Sequence, residues 1–188
     1  MPFTTLDPKT ALIVIDLQAG IVGIEGQPHP VSDVITRNVE LADAFRKHGL
    51  PVVLVNVAGV PAVRTDADPD GAGRELPAHA QTVVPELGEP DKLITKRTPG
   101  AFTNTDLEAY LRDQGVTQVV VTGVATGNGV GVTVQQAFEL GFHVSTPVDA
   151  MTDSSLPSHE FALTHHFPKR AETGTTAELL SLLGATRA

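Results

Sequence analysis

The sequence predicts an α/β fold in which helices pack on both faces of a parallel sheet, the three-layer α/β/α sandwich. Short apolar runs recur along the chain, and two of them, Ala11 to Ile15 and Val52 to Val57, are nearly continuous, as in strands buried on both faces. Longer amphipathic segments separate these runs, so that strands and helices alternate. Alternation of this kind is typical of parallel strands joined by right-handed crossovers.

Each element is predicted from local signals. The helix after the first strand has Ser32 or Asp33 as its N-cap and ends at Gly49. The next helix is capped by Asn104 or Thr105. The predicted strands are 11–15, 52–57, 92–95, 118–122, 143–147 and a short edge strand at 170–172. The predicted helices are 33–48, 105–111, 129–140, 157–166 and 175–183.

The chain length and one long connector define the expected organisation. A chain of 188 residues predicts one domain, residues 1–188, with a substantial core. The stretch 58–90 is rich in Pro, Gly, Ala and Asp and is long for a connector. Connectors of this length are usually functional, so we interpret it as a lid or an oligomer contact.

Composition excludes several classes of function. The net charge of −9 disfavours nucleic acid as a partner, and the absence of cysteine excludes disulfides, thiolate metal sites and thiolate catalysis. The N-terminal segment lacks the basic-then-apolar pattern of a secretion signal, and no apolar run approaches the roughly 20 residues that span a bilayer. We therefore expect a cytoplasmic protein with neither a membrane nor a nucleic-acid partner.

Three features follow strands at the sheet edge where ligands bind in this architecture. Asp16 follows the first apolar run directly, Lys96 follows the strand 92–95, and the glycine-rich turn Gly123 to Gly129 leads from the central strand into a helix. Backbone amides in such a turn, together with a helix N-terminus, favour anions. Each feature alone also has a structural interpretation: a turn aspartate, a surface lysine and a tight strand-to-helix turn.

Together and in this order, the three features resemble the isochorismatase-like hydrolase family. The likeness is carried by Asp16, by Lys96 with the later Ala101-Phe102, by Gly123-Val124-Ala125-Thr126, and further on by Gln136 to Phe142, Asp149 to Asp153, His159 and Thr175 to Glu178. It covers nearly the whole chain outside 58–90. The resemblance implies a six-stranded parallel sheet, a homo-oligomer of two or more chains, and a cis peptide between Val124 and Ala125.

Position 129 separates the chemistries within this family. Amidase members use an Asp-Lys-Cys triad, and Gly129 stands where their cysteine would be. Isochorismatases proper carry glycine there, which Gly129 matches. Nicotinamidase members bind zinc through an aspartate and histidines near the second strand, but residues 55–60 contain no histidine. We therefore expect neither zinc nor any other cofactor.

The resemblance thus implies hydrolysis of an enolpyruvyl (vinyl) ether such as isochorismate. Protonation of the terminal carbon gives an oxocarbenium ion, water adds, and the hemiketal collapses to pyruvate and an alcohol, so an acid is needed but no protein nucleophile. Asp16 is the expected acid, Lys96 is its electrostatic partner or the holder of a substrate carboxylate, and Gly129 gives space for the enolpyruvyl group or a water. A cationic Lys96 lowers the pKa of Asp16, which burial or substrate carboxylates must offset.

The expected substrate is a small anionic molecule, so a locally cationic pocket is required in this acidic chain. Arg64 and Arg74 of the connector, together with Arg97, are the candidates for this positive charge. The residues expected to bind substrate are Gln18, Phe102, Val124, Ala125, Thr126, Asn128, Arg64 and Arg97. Two alternatives stay open: a non-catalytic relative that kept the pocket for binding or assembly, and an amidase that uses activated water. Retention of two poorly solvated charges argues against the non-catalytic alternative.

Overall fold

The computed structural model describes residues 3–185, which form a parallel sheet with helices on both faces. The strands are β1 (Thr10–Ile15), β2 (Val52–Val57), β3 (Gly59–Val60), β4 (Arg74–Glu75), β5 (Lys92–Lys96), β6 (Gln118–Val124), β7 (His143–Pro147), β8 (Met151–Thr152) and β9 (Glu172–Gly174). The helices are α1 (Val31–Lys47), α2 (Leu107–Asp113), α3 (Gly131–Glu139), α4 (Leu156–Phe161) and α5 (Thr176–Ala185).

The main sheet has the order β5-β2-β1-β6-β7-β9, with the short β8 paired to the end of β6. Every pairing in this sheet is parallel. The predicted α/β/α sandwich is therefore confirmed, with β8 as a two-residue addition to the six expected strands. No helix in the described part of the chain is both long and apolar enough to cross a bilayer.

Alternating side chains of the strands build two apolar layers, one on each face of the sheet. In β1, Ile13 and Ile15 belong to the layer with α2 and α3, whereas Leu12 and Val14 belong to the layer with α1 and α5. Since both faces are covered, the strands are apolar throughout, which is why their sequences show no polar alternation.

Two predicted helix caps are wrong. Helix α1 begins at Val31 with Pro30 in the N-cap position and no side-chain cap, and the Asp33 amide donates to the Pro30 carbonyl, so that Ser32 and Asp33 lie inside the first turn. Helix α2 begins at Leu107, after Asp106. Asn104, one of its two predicted caps, instead has a left-handed φ of 55°.

Two further boundaries differ from the prediction, and one of them shapes the site. The helix expected from residue 129 begins as a wide turn, Thr126–Val130, in which the Val130 amide donates to the Ala125 carbonyl, and α3 starts at Gly131. The edge strand is β9, Glu172–Gly174, two residues later than predicted. It pairs with β7 there because the short turn Phe167–Lys169 uses the preceding residues.

The connector 58–90 has structure of its own. It opens with the antiparallel pair β3 and β4, in which Gly59 faces Glu75 and Val60 faces Arg74. Two short helical turns follow, Ala78–Gln81 and Pro85–Leu87, before β5. The connector thus lies beside the end of β2, where the sheet edge meets the predicted site.

Candidate active site

Asp16 and Lys96 form a buried ion pair at the carboxyl edge of the sheet. Asp16 follows β1 and Lys96 ends β5, on either side of β2. The Lys96 ammonium donates to Asp16 Oδ2 at 2.8 Å, and the two side chains are 2% and 7% exposed. The predicted proximity of these side chains is confirmed. Removing two charges from water is costly, so a pair this deeply buried needs a specific role or partner.

The surroundings of Asp16 favour its protonated form. Burial raises the pKa of the Asp16 carboxyl from 3.8 to about 6, although the charge and hydrogen bond of Lys96 act in the opposite direction. The Asp16 Oδ1 atom is buried and has no hydrogen-bond partner among residues 3–185. The Asp16 backbone is left-handed, with φ at 54°, a conformation that costs a residue other than glycine roughly 1–3 kcal/mol. Strain and poor solvation at one carboxyl are typical of a catalytic group.

The turn after β6 closes over this carboxyl. The peptide between Val124 and Ala125 is cis, as the family resemblance implied. A Cβ atom on Gly129 would lie 3.0 Å from Asp16 Oδ2 and 3.1 Å from the Val124 carbonyl oxygen. Such contacts are closer than most Cβ atoms tolerate. Gly129 therefore leaves the Asp16 carboxylate open on a side that any other residue would crowd.

Side chains from the segment 153–159 hold the same turn from behind. Asp153 Oδ2 accepts from the Gly127 amide at 2.8 Å, and His159 Nδ1 lies 2.8 Å from the Thr126 hydroxyl. The Asn128 amide donates to the Ala125 carbonyl. Two amides of the predicted anion-binding turn are thus already engaged within the protein. The burial of His159 lowers its pKa, so the ring is neutral at neutral pH.

A cavity of about 490 Å³ opens above the Asp16–Lys96 pair. Its charged lining residues, within the described part of the chain, are Asp16, Lys96 and Arg74. Aliphatic and proline side chains supply much of the remaining wall, and the connector contributes several of them. The other lining residues are Gly20, Ile21, Ile24, Val57, Gly59, Val60, Pro61, Leu76, Thr98, Pro99, Val124, Ala125, Asn128, Gly129 and Ser154. Val124, Ala125 and Asn128 were predicted to bind substrate, and they lie on this wall.

Three other residues predicted to bind substrate lie off the cavity wall. Gln18 is fully buried and its amide group is used internally, because it donates to the carbonyls of Val57 and Ala80 and accepts from the Val57 amide. It therefore ties the connector to the sheet. Phe102 stacks on Phe142 with ring centres 6.0 Å apart. The Thr126 hydroxyl is fully buried against His159.

Of the three arginines predicted to make the pocket cationic, one lines the cavity and two do not. Arg74, on β4, lines the cavity, whereas Arg64 and Arg97 do not. Arg97, which follows β5, is 60% exposed and pairs with Glu75 of β4. Antiparallel pairing of β3 and β4 explains the difference, because it brings Arg74 beside Val60 and so over the end of β2.

Several lining residues were not anticipated from the sequence. Ile21 and Ile24 follow β1 in a segment without a regular element, and Ser154 follows β8. Thr98 lies two residues beyond Lys96. The strand-end rule that located Asp16 and Lys96 also applies to Thr98 and Ser154, but neither residue type is distinctive enough to stand out. Among residues 3–185, no group of three or more His, Asp or Glu side chains is arranged to hold a metal ion.

Comparison with known proteins gives consistent matches over most of the chain. The family model of the isochorismatase domain matches residues 10–178. An uncharacterised isochorismatase family protein of Bacillus subtilis is 40% identical over 179 residues, which cover 92% of this chain and 93% of that protein. The isochorismatase of Bacillus subtilis is 28% identical over 186 residues, which cover 94% of this chain but only 59% of the longer relative.

Solved structures agree with these matches. An isochorismatase family protein from Burkholderia thailandensis superposes with a TM-score of 0.87 at 37% identity, over 98% of this chain and 99% of that one. The pyrazinamidase of Pyrococcus horikoshii, solved in complex with zinc, superposes with a TM-score of 0.75 at 26% identity, over 89% of this chain and 99% of that one.

Proposed function

Since this chain belongs to the isochorismatase family of hydrolases, we propose that it hydrolyses an enolpyruvyl ether such as isochorismate by general acid catalysis. No protein nucleophile and no covalent intermediate take part. The observation that carries the proposal is the Asp16 carboxyl, buried, raised in pKa to about 6 and left open beside a glycine where a nucleophile would otherwise project.

Asp16 is the proposed acid. A general acid works best when its pKa lies near the working pH, since it must both hold a proton and release it. An ordinary aspartate with a pKa of 3.8 is almost fully ionised at neutral pH, whereas one near 6 keeps a useful protonated fraction. Protonation by Asp16 of the terminal methylene carbon of the ether converts it to a methyl group and leaves an oxocarbenium ion.

The remaining steps need water and charge stabilisation. The ionised Asp16 faces the cationic carbon and is positioned to accept a proton from the water that attacks it. The hydroxyl of the hemiketal gives up its proton as the bond between its carbon and the ether oxygen breaks, the ether oxygen takes up a proton, and the products are pyruvate and a ring alcohol. Lys96 stabilises the aspartate that has given up its proton and limits how far burial can raise its pKa.

The cavity wall supports a substrate with an apolar body and carboxylates. Arg74 is the lining guanidinium within the described residues, and Ile21, Ile24 and Leu76 supply apolar surface for a ring. The connector supplies part of this wall and so reduces the exposure of Asp16 to bulk water, which strengthens the electrostatic interactions at the site.

Pyruvate release is the direct test. Purified protein is incubated with isochorismate in the presence of EDTA, and pyruvate is followed by coupling to lactate dehydrogenase. We expect pyruvate release by the native protein and a loss of roughly 10²–10⁴-fold in kcat for Asp16→Asn. Asp113→Asn makes the same chemical change on the exposed end of α2 and should leave the rate unchanged.

Failure would separate the alternatives. If the native protein releases no pyruvate from any enolpyruvyl ether but binds such ligands, the non-catalytic interpretation replaces the proposal. If it releases pyruvate and Asp16→Asn does so equally well, the family reaction stands but Asp16 is not the acid.

A further inference from the structure

The charges of the active-site cavity depend on the protonation state of Asp16. Lys96 is committed to Asp16 at 2.8 Å. Arg74 lines the same cavity, and its guanidinium forms no ion pair or hydrogen bond within the described residues. With Asp16 ionised, the cavity therefore offers one uncommitted cation. With Asp16 protonated, it offers two.

We infer that a small dicarboxylate enters this cavity together with a proton, which Asp16 takes up as one ligand carboxylate binds Lys96 and the other binds Arg74. A monocarboxylate binds at Arg74 alone, without proton uptake. The inference deepens the proposed function, on which it rests for the identity of the substrate as an enolpyruvyl ether with a second carboxylate. It concerns binding and not turnover.

Electrostatics at the buried Lys96 require Asp16 to take up a proton when a ligand carboxylate binds. A ligand carboxylate at Lys96 places two carboxylates on the ammonium of a lysine whose side chain is 2% exposed. Two carboxylates that share a buried site cannot both stay ionised at low cost, so one of them keeps a proton. Asp16 is the one that keeps it, because burial already favours its neutral form and its Oδ1 has no partner among residues 3–185.

Few charged side chains line the cavity around Asp16 within the described residues. The charged residues that line the cavity beside Asp16 are Lys96, at the end of β5, and Arg74, on β4. Val57 at the end of β2 lines the cavity without a titratable side chain, as do the lining residues of the turn after β6, namely Val124, Ala125, Asn128 and Gly129. The protonation of Asp16 is thus governed by its burial, by Lys96 and by the charge of the ligand.

Proton uptake on binding also explains how Asp16 can be protonated beside Lys96, whose positive charge lowers the pKa of Asp16 in the free protein. In an enolpyruvyl ether the carboxylate and the methylene group are attached to the same carbon atom. A carboxylate held by Lys96 therefore brings the methylene carbon next to Asp16. Binding of the substrate therefore protonates Asp16 and at the same time places the methylene carbon, the atom to be protonated, beside it.

Calorimetry can count the proton. Isophthalate (benzene-1,3-dicarboxylate) and benzoate are titrated into the native protein in HEPES and in Tris, whose ionisation enthalpies differ. With a pKa of about 6, roughly nine in ten Asp16 side chains are ionised at pH 7. We expect isophthalate to take up close to one proton per site and benzoate to take up none. The Kd of isophthalate should weaken by up to about tenfold per pH unit from pH 6.5 to 8.

Variants assign the effect to single residues. Asp16→Asn should bind isophthalate with no proton uptake and no dependence of Kd on pH in this range. Arg74→Gln should remove the preference for isophthalate over benzoate, whereas Lys47→Gln, the same loss of charge on the exposed end of α1, should preserve it.

Four results would overturn the inference: isophthalate binding by the native protein without proton uptake, equal uptake with benzoate, uptake that persists in Asp16→Asn, or no isophthalate binding at millimolar concentration. Proton-coupled binding without pyruvate release would instead count against the proposed function alone.

Discussion

The ionisation of Asp16 should make folding stability fall as the pH rises. Burial raises the pKa of this carboxyl in the folded chain from 3.8 to about 6, so the folded state binds the proton more tightly than the unfolded state. Well below pH 3.8 the carboxyl is protonated in both the folded and the unfolded chain, and its full contribution to stability is present. Between the two pKa values the unfolded chain ionises first, and stability is lost until the folded carboxyl has also ionised.

The size of this loss follows from the two pKa values. Each pKa unit corresponds to about 1.36 kcal/mol, so ionisation of Asp16 in the folded chain costs about 3 kcal/mol at neutral pH. Between pH 4 and pH 7 the expected loss is about 2 kcal/mol, because part of the unfolded chain is already ionised at pH 4. A change of this size is a large share of the free energy of unfolding of a typical domain.

Urea denaturation of the native protein and of one double variant at several pH values isolates the contribution of Asp16 to the free energy of unfolding. The double variant Asp16→Asn/Lys96→Met lacks both members of the buried pair. The other carboxylates and the histidines contribute equally to both proteins, so their contributions cancel when the two free energies of unfolding are subtracted. We expect the native protein to lose about 2 kcal/mol relative to the variant from pH 4 to pH 7. A difference that stays constant with pH, or that changes in favour of the native protein, would refute the assignment of a raised pKa to Asp16.

Three other predictions test the turn and the assembly. Gly129→Cys should lower the rate of pyruvate release, because its Cβ would lie 3.0 Å from Asp16 Oδ2. A gain of amide hydrolysis by this variant in a colorimetric ammonia assay, with no pyruvate release by the native protein, would contradict the nucleophile-free account. Thr126→Val should cost about 1 kcal/mol in urea denaturation through loss of the bond to His159, and Thr126→Ser should cost less. Light scattering at micromolar concentration should give at least twice the mass of one chain, since Val60 and Val63 of the connector are more than half exposed; a monomer would argue against the predicted oligomer.

The strands and the central pair of the site were predictable because buried parallel strands leave an unambiguous signal. Apolar runs located β1, β2 and β6, and the rule that ligands bind at the carboxyl ends of such strands selected Asp16 and Lys96. Their pairing across the end of β2 depends only on the order of strands in the sheet. Chain order alone does not give that order, so the sequence predicted the shared sheet edge but not the strand order.

The wall of the cavity was less predictable because it is built from irregular segments. Whether Arg64, Arg74 or Arg97 reaches the cavity depends on the register of the β3 and β4 hairpin, which has two residues in each strand and little hydrophobic pattern to fix it. Gln18 was expected near the ligand on the basis of its position after Asp16. Its amide instead satisfies backbone groups of Val57 and Ala80 that would otherwise be buried without partners.

The most direct test of the central claim is the isotopic composition of pyruvate formed from isochorismate in D₂O, trapped at once by lactate dehydrogenase and read by mass spectrometry. Protonation of the vinyl carbon by Asp16, whose proton exchanges with solvent, predicts one deuterium in the methyl group of the product. It also predicts that Asp16→Asn forms this product at least about a hundredfold more slowly. Pyruvate without deuterium, no pyruvate at all, or a rate unaffected by Asp16→Asn would contradict the account.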